Sequence, residues 1–203
     1  MAGAAMQKFI KSLTAADQLA TRGQIRLRIS GFSLQQVISI RDILQTIDAL
    51  PGFRLEGLQE IAFEPWGLPG AAAESLSPGG LRQRLRGEFV QQQRRIIIYA
   101  TDNRKQALHV LLHEIGHYVF FLTLNSRVKK RWVTQIYPQS ACVTDYGTRN
   151  ACEDFSESYA LYQTDPQRLL HQVPLKHGFF RDWVFSGRPD ARKERGNFGP
   201  TGC

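Results

Sequence analysis

Two histidines and a glutamate stand within five consecutive residues, His113-Glu114-Ile115-Gly116-His117. In an α-helix, residues four positions apart lie one above the other on the same face, so both imidazoles can reach one metal ion. Glu114 is rotated away from them and can act at the open coordination position of that ion. The spacing predicts a zinc centre for hydrolysis, with His113 and His117 as ligands and Glu114 as the general base.

A catalytic zinc ion needs a third protein ligand, because its fourth tetrahedral position is kept for water. A histidine six residues after His117, as in the metzincins, is excluded because Thr123 stands there. The remaining candidates are Glu153 and Glu157, which share one face of a downstream helix at a spacing of four. One carboxylate can bind the ion while the other holds a ligand histidine through its second ring nitrogen. Two histidines and a glutamate form the thermolysin-like ligand set.

Each of these side chains has a second interpretation. Asn150 and Glu153 have the spacing of an N-cap and its reciprocal capping carboxylate, so Glu153 could serve only to close the helix start. Glu157 could be a solvated helix residue. The two histidines could be ordinary core or surface residues, although burying them with Glu114 in so apolar a helix carries a large desolvation cost unless something compensates them.

The order of the motifs resembles the catalytic domain of anthrax lethal factor and the related Pro-Pro endopeptidases. The His-Glu-x-Gly-His helix, Tyr146 seven positions before Glu153, and the run Glu153-Asp154-Phe155-Ser156-Glu157 carry the resemblance. It covers about Gln36 to Phe185, strongly at these motifs and loosely elsewhere. Ser156 stands where the family often has alanine.

The resemblance implies a gluzincin-type zinc peptidase that acts on a protein or peptide substrate. The ligands of its single zinc ion would be His113, His117 and Glu153. The remaining roles would be Glu114 as the base, Tyr146 as the transition-state donor and Glu157 as the support of the ligand shell. The alternative for Tyr146 is an aromatic lid residue in a loop.

The chain of 203 residues, with 42% hydrophobic and 22% charged residues, has the composition of one globular domain with tails. We expect an N-terminal extension over 1–22 with a short helix around Thr14 to Ala20, a peptidase domain over 23–185, and a flexible basic tail over 186–203. We expect no secretory signal peptide and no membrane span. The sequence does not assign a location, and both the cytoplasm and export by a route that needs no signal peptide stay open.

The net charge of +8 permits nucleic acid, an anionic membrane surface or an acidic protein as a partner. The charge is spread along the chain, with its denser pieces at Arg94-Arg95, at Arg127–Trp132 and in the tail. No nucleic-acid fold motif accompanies it, so most of the charge is explained by solvated faces and a basic tail. Nucleic acid is a weakly supported partner.

The remaining patterns predict an α+β fold, with a small mixed sheet packed on helices, a zincin-type active-site helix and a downstream ligand helix. The zinc helix is expected from about Arg104 to Leu124. A Gly/Pro-rich loop from Glu64 to Gly80, bearing Trp66, could border a substrate cleft. The other predicted elements are a strand over Gln24–Ile29, a helix from Ser33 through Ile47, a strand over Leu58–Phe63, a hairpin over 85–100 and a last helix over Leu175–Phe185.

These expectations converge on a zinc-dependent endopeptidase. One alternative is a cytosolic zinc protease acting on DNA-associated proteins, which would use the positive charge. Another is a non-catalytic binding module that holds zinc structurally.

Overall fold

The computed structural model of the chain describes residues 18–22, 25–51, 54–65, 74–76, 82–84 and 86–186. The fold is α+β with a small mixed sheet, as predicted. The described residues form two compact units. Those that fall within residues 1–52 and 57–111 belong to the first unit, and those that fall within residues 53–56 and 112–203 belong to the second. That residues 23–185 act together as one peptidase domain stays a prediction.

The sheet of the first unit has five strands, in the spatial order β1, β2, β3, β7, β6. The strands are β1 (Gln18–Arg22), β2 (Ile25–Ser30), β3 (Glu60–Phe63), β6 (Gly87–Val90) and β7 (Arg95–Ile98). The two central pairings, β2 with β3 and β3 with β7, are parallel, and the two outer ones are antiparallel. A separate antiparallel pair joins β4 (Glu74–Leu76) to β5 (Arg82–Arg84).

The burial of the strands follows their position in the sheet. In β2, Leu27 and Ile29 are buried and alternate with exposed arginines, as the sequence predicts for a half-exposed strand. In β3 and β7, by contrast, consecutive residues are buried, including the run Ile96-Ile97-Ile98. This is typical of parallel strands that are covered on both faces.

The structure corrects two predictions for the first unit. The prediction of an N-terminal helix around Thr14 to Ala20 is wrong for the residues that the structure describes. Gln18–Arg22 forms β1, and every residue of β1 pairs with β2. Thr14 and Asp17 have the spacing of a capping box, and backbone pairing with a neighbouring strand overrides this local pattern. The loop from Glu64 to Gly80 contains the strand β4, while Trp66 lies outside the described residues.

The first helix, α1 (Ile40–Ala49), begins later than predicted. Gln35 accepts hydrogen bonds from the backbone N–H groups of Val37 and Ile38, which holds this segment in a non-helical form. Ser39 then caps α1, forming a capping box with Asp42.

The helix that carries the histidines, α2 (Arg104–Tyr118), begins where the sequence predicts. Asn103 accepts a hydrogen bond from the Gln106 backbone N–H, and the helix continues as a π-helical turn over Val119–Thr123. The division between the two units falls in α2, after Leu111.

The second unit is helical. After the histidines come α3 (Ser126–Arg131), which runs into a π-helical turn over Trp132–Ile136, and then α4 (Ala151–Thr164), α5 (Pro166–Gln172) and α6 (Pro174–Phe179). A further π-helical turn spans Phe180–Val184. The last predicted helix is therefore confirmed, whereas α3 and α5 were not predicted.

Buried aromatic rings form the core of the second unit. Phe155 of α4 lies at its centre, with ring centroids 5.0–5.1 Å from those of Phe120, Trp132 and Phe180. All four side chains are at most 4% exposed. These contacts fix α4 against the segment that follows α2, and so set the geometry of the side chains that both helices present.

The described ranges contain no helix with the length and apolar character that crossing a bilayer requires.

Candidate metal centre

Helix α2 presents the two histidines on one face, as their spacing predicts. The ring centroids of His113 and His117 are 4.8 Å apart, and the ring planes meet nearly edge to face. Their Nε2 atoms lie 3.1 Å from each other. Both rings are thus directed at the same point.

Glu153 reaches this point from the first turn of α4. Its Oε2 atom lies 3.1 Å from His113 Nε2 and 3.2 Å from His117 Nε2. The alternative role in capping belongs to Asn150, whose side chain accepts hydrogen bonds from the backbone N–H groups of Cys152 and Glu153. The cap places Glu153 in the first turn, and its carboxylate is directed at the imidazoles.

The three atoms form a triangle that suits a tetrahedral metal ion. Its sides of 3.1–3.2 Å are close to the separation of roughly 3.3–3.5 Å that follows from zinc bonds of about 2.0–2.2 Å. Two imidazole nitrogens and a carboxylate oxygen are also the donor types that zinc accepts. The residues present therefore fit a zinc ion.

Glu157, one turn beyond Glu153, orients His113 from the opposite side of the ring. Its Oε1 atom lies 2.7 Å from His113 Nδ1, and the residue is only 6% exposed, so it is not the solvated helix residue of the alternative. A proton on Nδ1 directed at Glu157 leaves the neutral ring with a lone pair at Nε2. With a metal ion bound, that lone pair would point at the ion together with His117 Nε2 and the Glu153 carboxylate; without one, a proton shared between His113 and Glu153 balances the carboxylate charge.

The electrostatics of the centre favour positive charge. Burial alone would lower the pKa of His113, but its hydrogen bonds to Glu153 and Glu157, with the charge of Glu114, raise it to about 10. Burial would raise the pKa of Glu153, yet its hydrogen bonds to the two imidazoles lower it to about 2. The carboxylates thus stabilise a cation at this point, which is a property that a zinc ligand set requires.

Glu114 is buried beside the ligands. It is 6% exposed, and its charge raises the pKa of both His113 and Tyr146. Its role as the general base stays a prediction.

Tyr146 lies on a 3-10 turn, Tyr146–Arg149, just before α4. Its ring meets the His113 ring edge-on with centroids 5.7 Å apart, and the Arg149 guanidinium lies 4.2 Å over its ring. Burial and the charge of Glu153 raise the pKa of Tyr146 to about 12. The phenol therefore remains a neutral O–H donor at pH 7.

The structure thus brings all six predicted side chains to one site within the second unit. It also shows contacts around the site that the sequence reasoning missed. A Cβ added to Gly116 would lie 2.8 Å from the Ser156 Cα atom, so the two helices touch at this glycine. The glycine in the histidine motif was a signal for such a close approach.

A buried ion pair lies beside the segment that carries Tyr146. Lys176 Nζ is 2.6 Å from Asp154 Oδ1, with both side chains fully buried, and it also donates to the Ala141 carbonyl at 2.7 Å. A Cβ on Gly147 would meet the same Asp154 oxygen at 3.1 Å. The pair therefore ties α4 and α6 to the segment before and after Tyr146. No local pattern marks Lys176 for this contact.

The chain matches no protein-family model, and no curated protein is significantly similar to it in sequence.

Proposed function

We propose that this chain is a zinc-dependent endopeptidase that hydrolyses peptide bonds of a protein substrate. The convergence of His113 Nε2, His117 Nε2 and Glu153 Oε2 within 3.1–3.2 Å of one another supports this proposal most directly. The resemblance to lethal factor and the Pro-Pro endopeptidases remains a prediction that agrees with this ligand set.

When bound, zinc would lower the pKa of water and polarise the scissile carbonyl. Glu114 would accept the proton of the attacking water and pass it to the leaving amine, a role that contributes about 10² to 10⁴-fold to rate. The burial of Glu114, at 6% exposure, next to His113 in the motif supports this role.

Tyr146 would donate its phenolic proton in a hydrogen bond to the oxyanion that develops on the carbonyl. Its raised pKa keeps that proton in place at neutral pH. Glu157 would hold the His113 ring with its Nδ1 proton outward, so that Nε2 stays available to the metal.

The deciding experiment combines metal analysis with a peptide-library cleavage profile on one preparation. We expect one zinc ion per chain, cleavage within peptides, and loss of cleavage with a chelator that zinc restores. The Glu114→Gln variant should keep the metal and lose at least about 10²-fold in turnover.

The outcomes separate this proposal from its alternatives. Stoichiometric zinc without cleavage of any library peptide would favour the non-catalytic binding module. Cleavage that requires added DNA and declines steeply with salt would favour the protease of DNA-associated proteins. A preparation that binds no zinc, or a Glu114→Gln variant with full activity, would overturn the proposal.

A further inference from the structure

A groove of about 240 Å³ lies in the second unit, along α3 and the π-helical turn that follows it. Its lining residues, which we call the basic groove, are Arg127, Lys130, Arg131, Thr134, Gln135 and Trp183. Thr134 and Gln135 lie on the π-helical turn Trp132–Ile136, and Trp183 lies on the turn Phe180–Val184. Such turns inside helices are frequent at functional sites.

The charge of the basic groove is of one sign. Arg127, Lys130 and Arg131 occupy positions i, i+3 and i+4, so their Cβ atoms lie within about 5–6 Å and their charges repel one another. Neither an aspartate nor a glutamate lines the groove, and no carboxylate among the described residues forms an ion pair with these three side chains. The groove therefore attracts anions.

One of the three cations is held in position. The Arg131 guanidinium lies 4.4 Å over the Trp183 ring, and its Nε donates to Gln135 Oε1 at 3.2 Å. A guanidinium that is already ordered loses less conformational entropy when it binds a carboxylate. Arg127 and Lys130 are exposed and remain accessible beside it.

We propose that the basic groove binds an acidic segment of a protein partner. Carboxylates of this segment would pair with the guanidinium groups of Arg127 and Arg131 and with the ammonium group of Lys130. The proposal does not depend on peptide hydrolysis. In an active peptidase, the same groove would select protein substrates that carry an acidic segment.

Two features of the groove favour a protein over nucleic acid. The three cations lie within one helical turn, whereas a polynucleotide is followed along its backbone by a longer positive track. Single-stranded nucleic acid also needs open aromatic faces for stacking, and one face of Trp183 is covered by Arg131. A cluster of two or three carboxylates on a peptide matches the size and the sign of the groove.

The test measures binding by the 203-residue chain through fluorescence anisotropy. The probe is a fluorescein-labelled peptide with four consecutive glutamates, and its matched control has four glutamines in their place. We expect the glutamate peptide to bind, its affinity to decline with salt, and the glutamine peptide to bind at least about tenfold more weakly.

Three double variants locate the binding, and the two charge reversals among them change the net charge by the same amount. Arg127→Glu/Lys130→Glu should weaken binding of the glutamate peptide at least about tenfold, and Arg127→Gln/Lys130→Gln should give a smaller loss. The control Arg41→Glu/Lys105→Glu reverses two exposed residues of the first unit and should leave the affinity within about twofold. Thermal unfolding of each variant checks that the fold is retained.

Equal loss in both charge-reversal variants would assign binding to the general positive charge and overturn the proposal. So would equal binding of the glutamine peptide. Tighter binding of a single-stranded oligonucleotide or of vesicles with anionic lipid, abolished by Arg127→Glu/Lys130→Glu, would also overturn it, because the groove would then serve another partner. Because the readout is binding, failure here leaves the zinc and cleavage measurements unaffected.

Discussion

Gly116 and Ser156 are in direct contact where α2 and α4 meet: a Cβ on Gly116 would lie 2.8 Å from the Ser156 Cα and 3.1 Å from its Oγ. Gly116 stands immediately before the proposed ligand His117, and Ser156 stands between Glu153 and Glu157. The distance between the histidines and the carboxylates therefore depends on the absence of a side chain at position 116.

We predict that Gly116→Ala destabilises the protein and weakens zinc binding. Overpacking costs about 1–3 kcal/mol, and because the atom met at 2.8 Å is backbone rather than the end of a flexible side chain, we expect this cost to exceed the gain of roughly 1 kcal/mol that alanine brings to a helix interior. Denaturant unfolding with and without zinc measures both effects. The matched control is Gly178→Ala in α6, where an added Cβ meets no atom within 4 Å. That variant should be unchanged or more stable, and equal effects at the two glycines would refute the packing argument.

Glu157→Gln should weaken zinc binding about 10 to 100-fold without unfolding the protein. The neutral amide keeps the size of the side chain but loses the negative charge of the Glu157 Oε1 atom, which lies 2.7 Å from His113 Nδ1 and orients the ring. Competition with a zinc-chelating dye measures the dissociation constant. An unchanged constant would show that the hydrogen bond has no influence on the metal.

Tyr146→Phe should lower kcat about 10² to 10³-fold while zinc content and KM change little. The substitution removes the hydroxyl and keeps the ring, so the contacts with His113 and Arg149 remain possible. Steady-state kinetics on the best peptide from the library separates the two constants. A rise in KM with kcat retained would instead assign Tyr146 to substrate binding, as for an aromatic lid.

Asp42 gives the first unit a pH-dependent stability. Hydrogen bonds from the Arg104 side chain and the Ser39 backbone hold the pKa of Asp42 well below its usual range. Because the folded pKa lies below the unfolded value of about 3.9, ionised Asp42 stabilises the fold above that pH, and its contribution is lost as the pH falls toward the folded pKa. Asp42→Asn should therefore destabilise the protein at pH 7 and by a smaller amount near pH 3. Denaturant unfolding at the two pH values checks this, and a pH-independent difference between variant and parent would contradict it.

The sequence predicted the parts of the site that depend on spacing along a helix. His113 with His117, and Glu153 with Glu157, each lie one turn apart, so their common face follows from helix geometry alone. The prediction that the histidine face and the glutamate face meet rests on chemistry. Zinc needs a third ligand, and only one downstream segment offers a suitable one.

The parts that were missed depend on packing between segments distant in sequence. Lys176 meets Asp154 because α6 packs beside α4, and nothing near Lys176 in the sequence marks it for burial. Gln18–Arg22 is a strand because β2 pairs with it, although Thr14 and Asp17 have the spacing of a capping box. Ser33 with Gln36 offered a similar pattern, and the helix instead begins after Ser39. Capping spacings are short and recur, so tertiary contacts decide which of them is used.

The proposed third ligand, Glu153, lies 36 residues beyond His117 in the chain and comes into reach only when α2 and α4 have packed together. An unfolded chain can offer a metal the two histidines but not the complete set, so zinc would bind the native state far more tightly than the denatured one. Free zinc at 100 times its dissociation constant would add about 2.7 kcal/mol to the free energy of unfolding. Zinc supply would then govern how long the second unit survives heat and proteolysis.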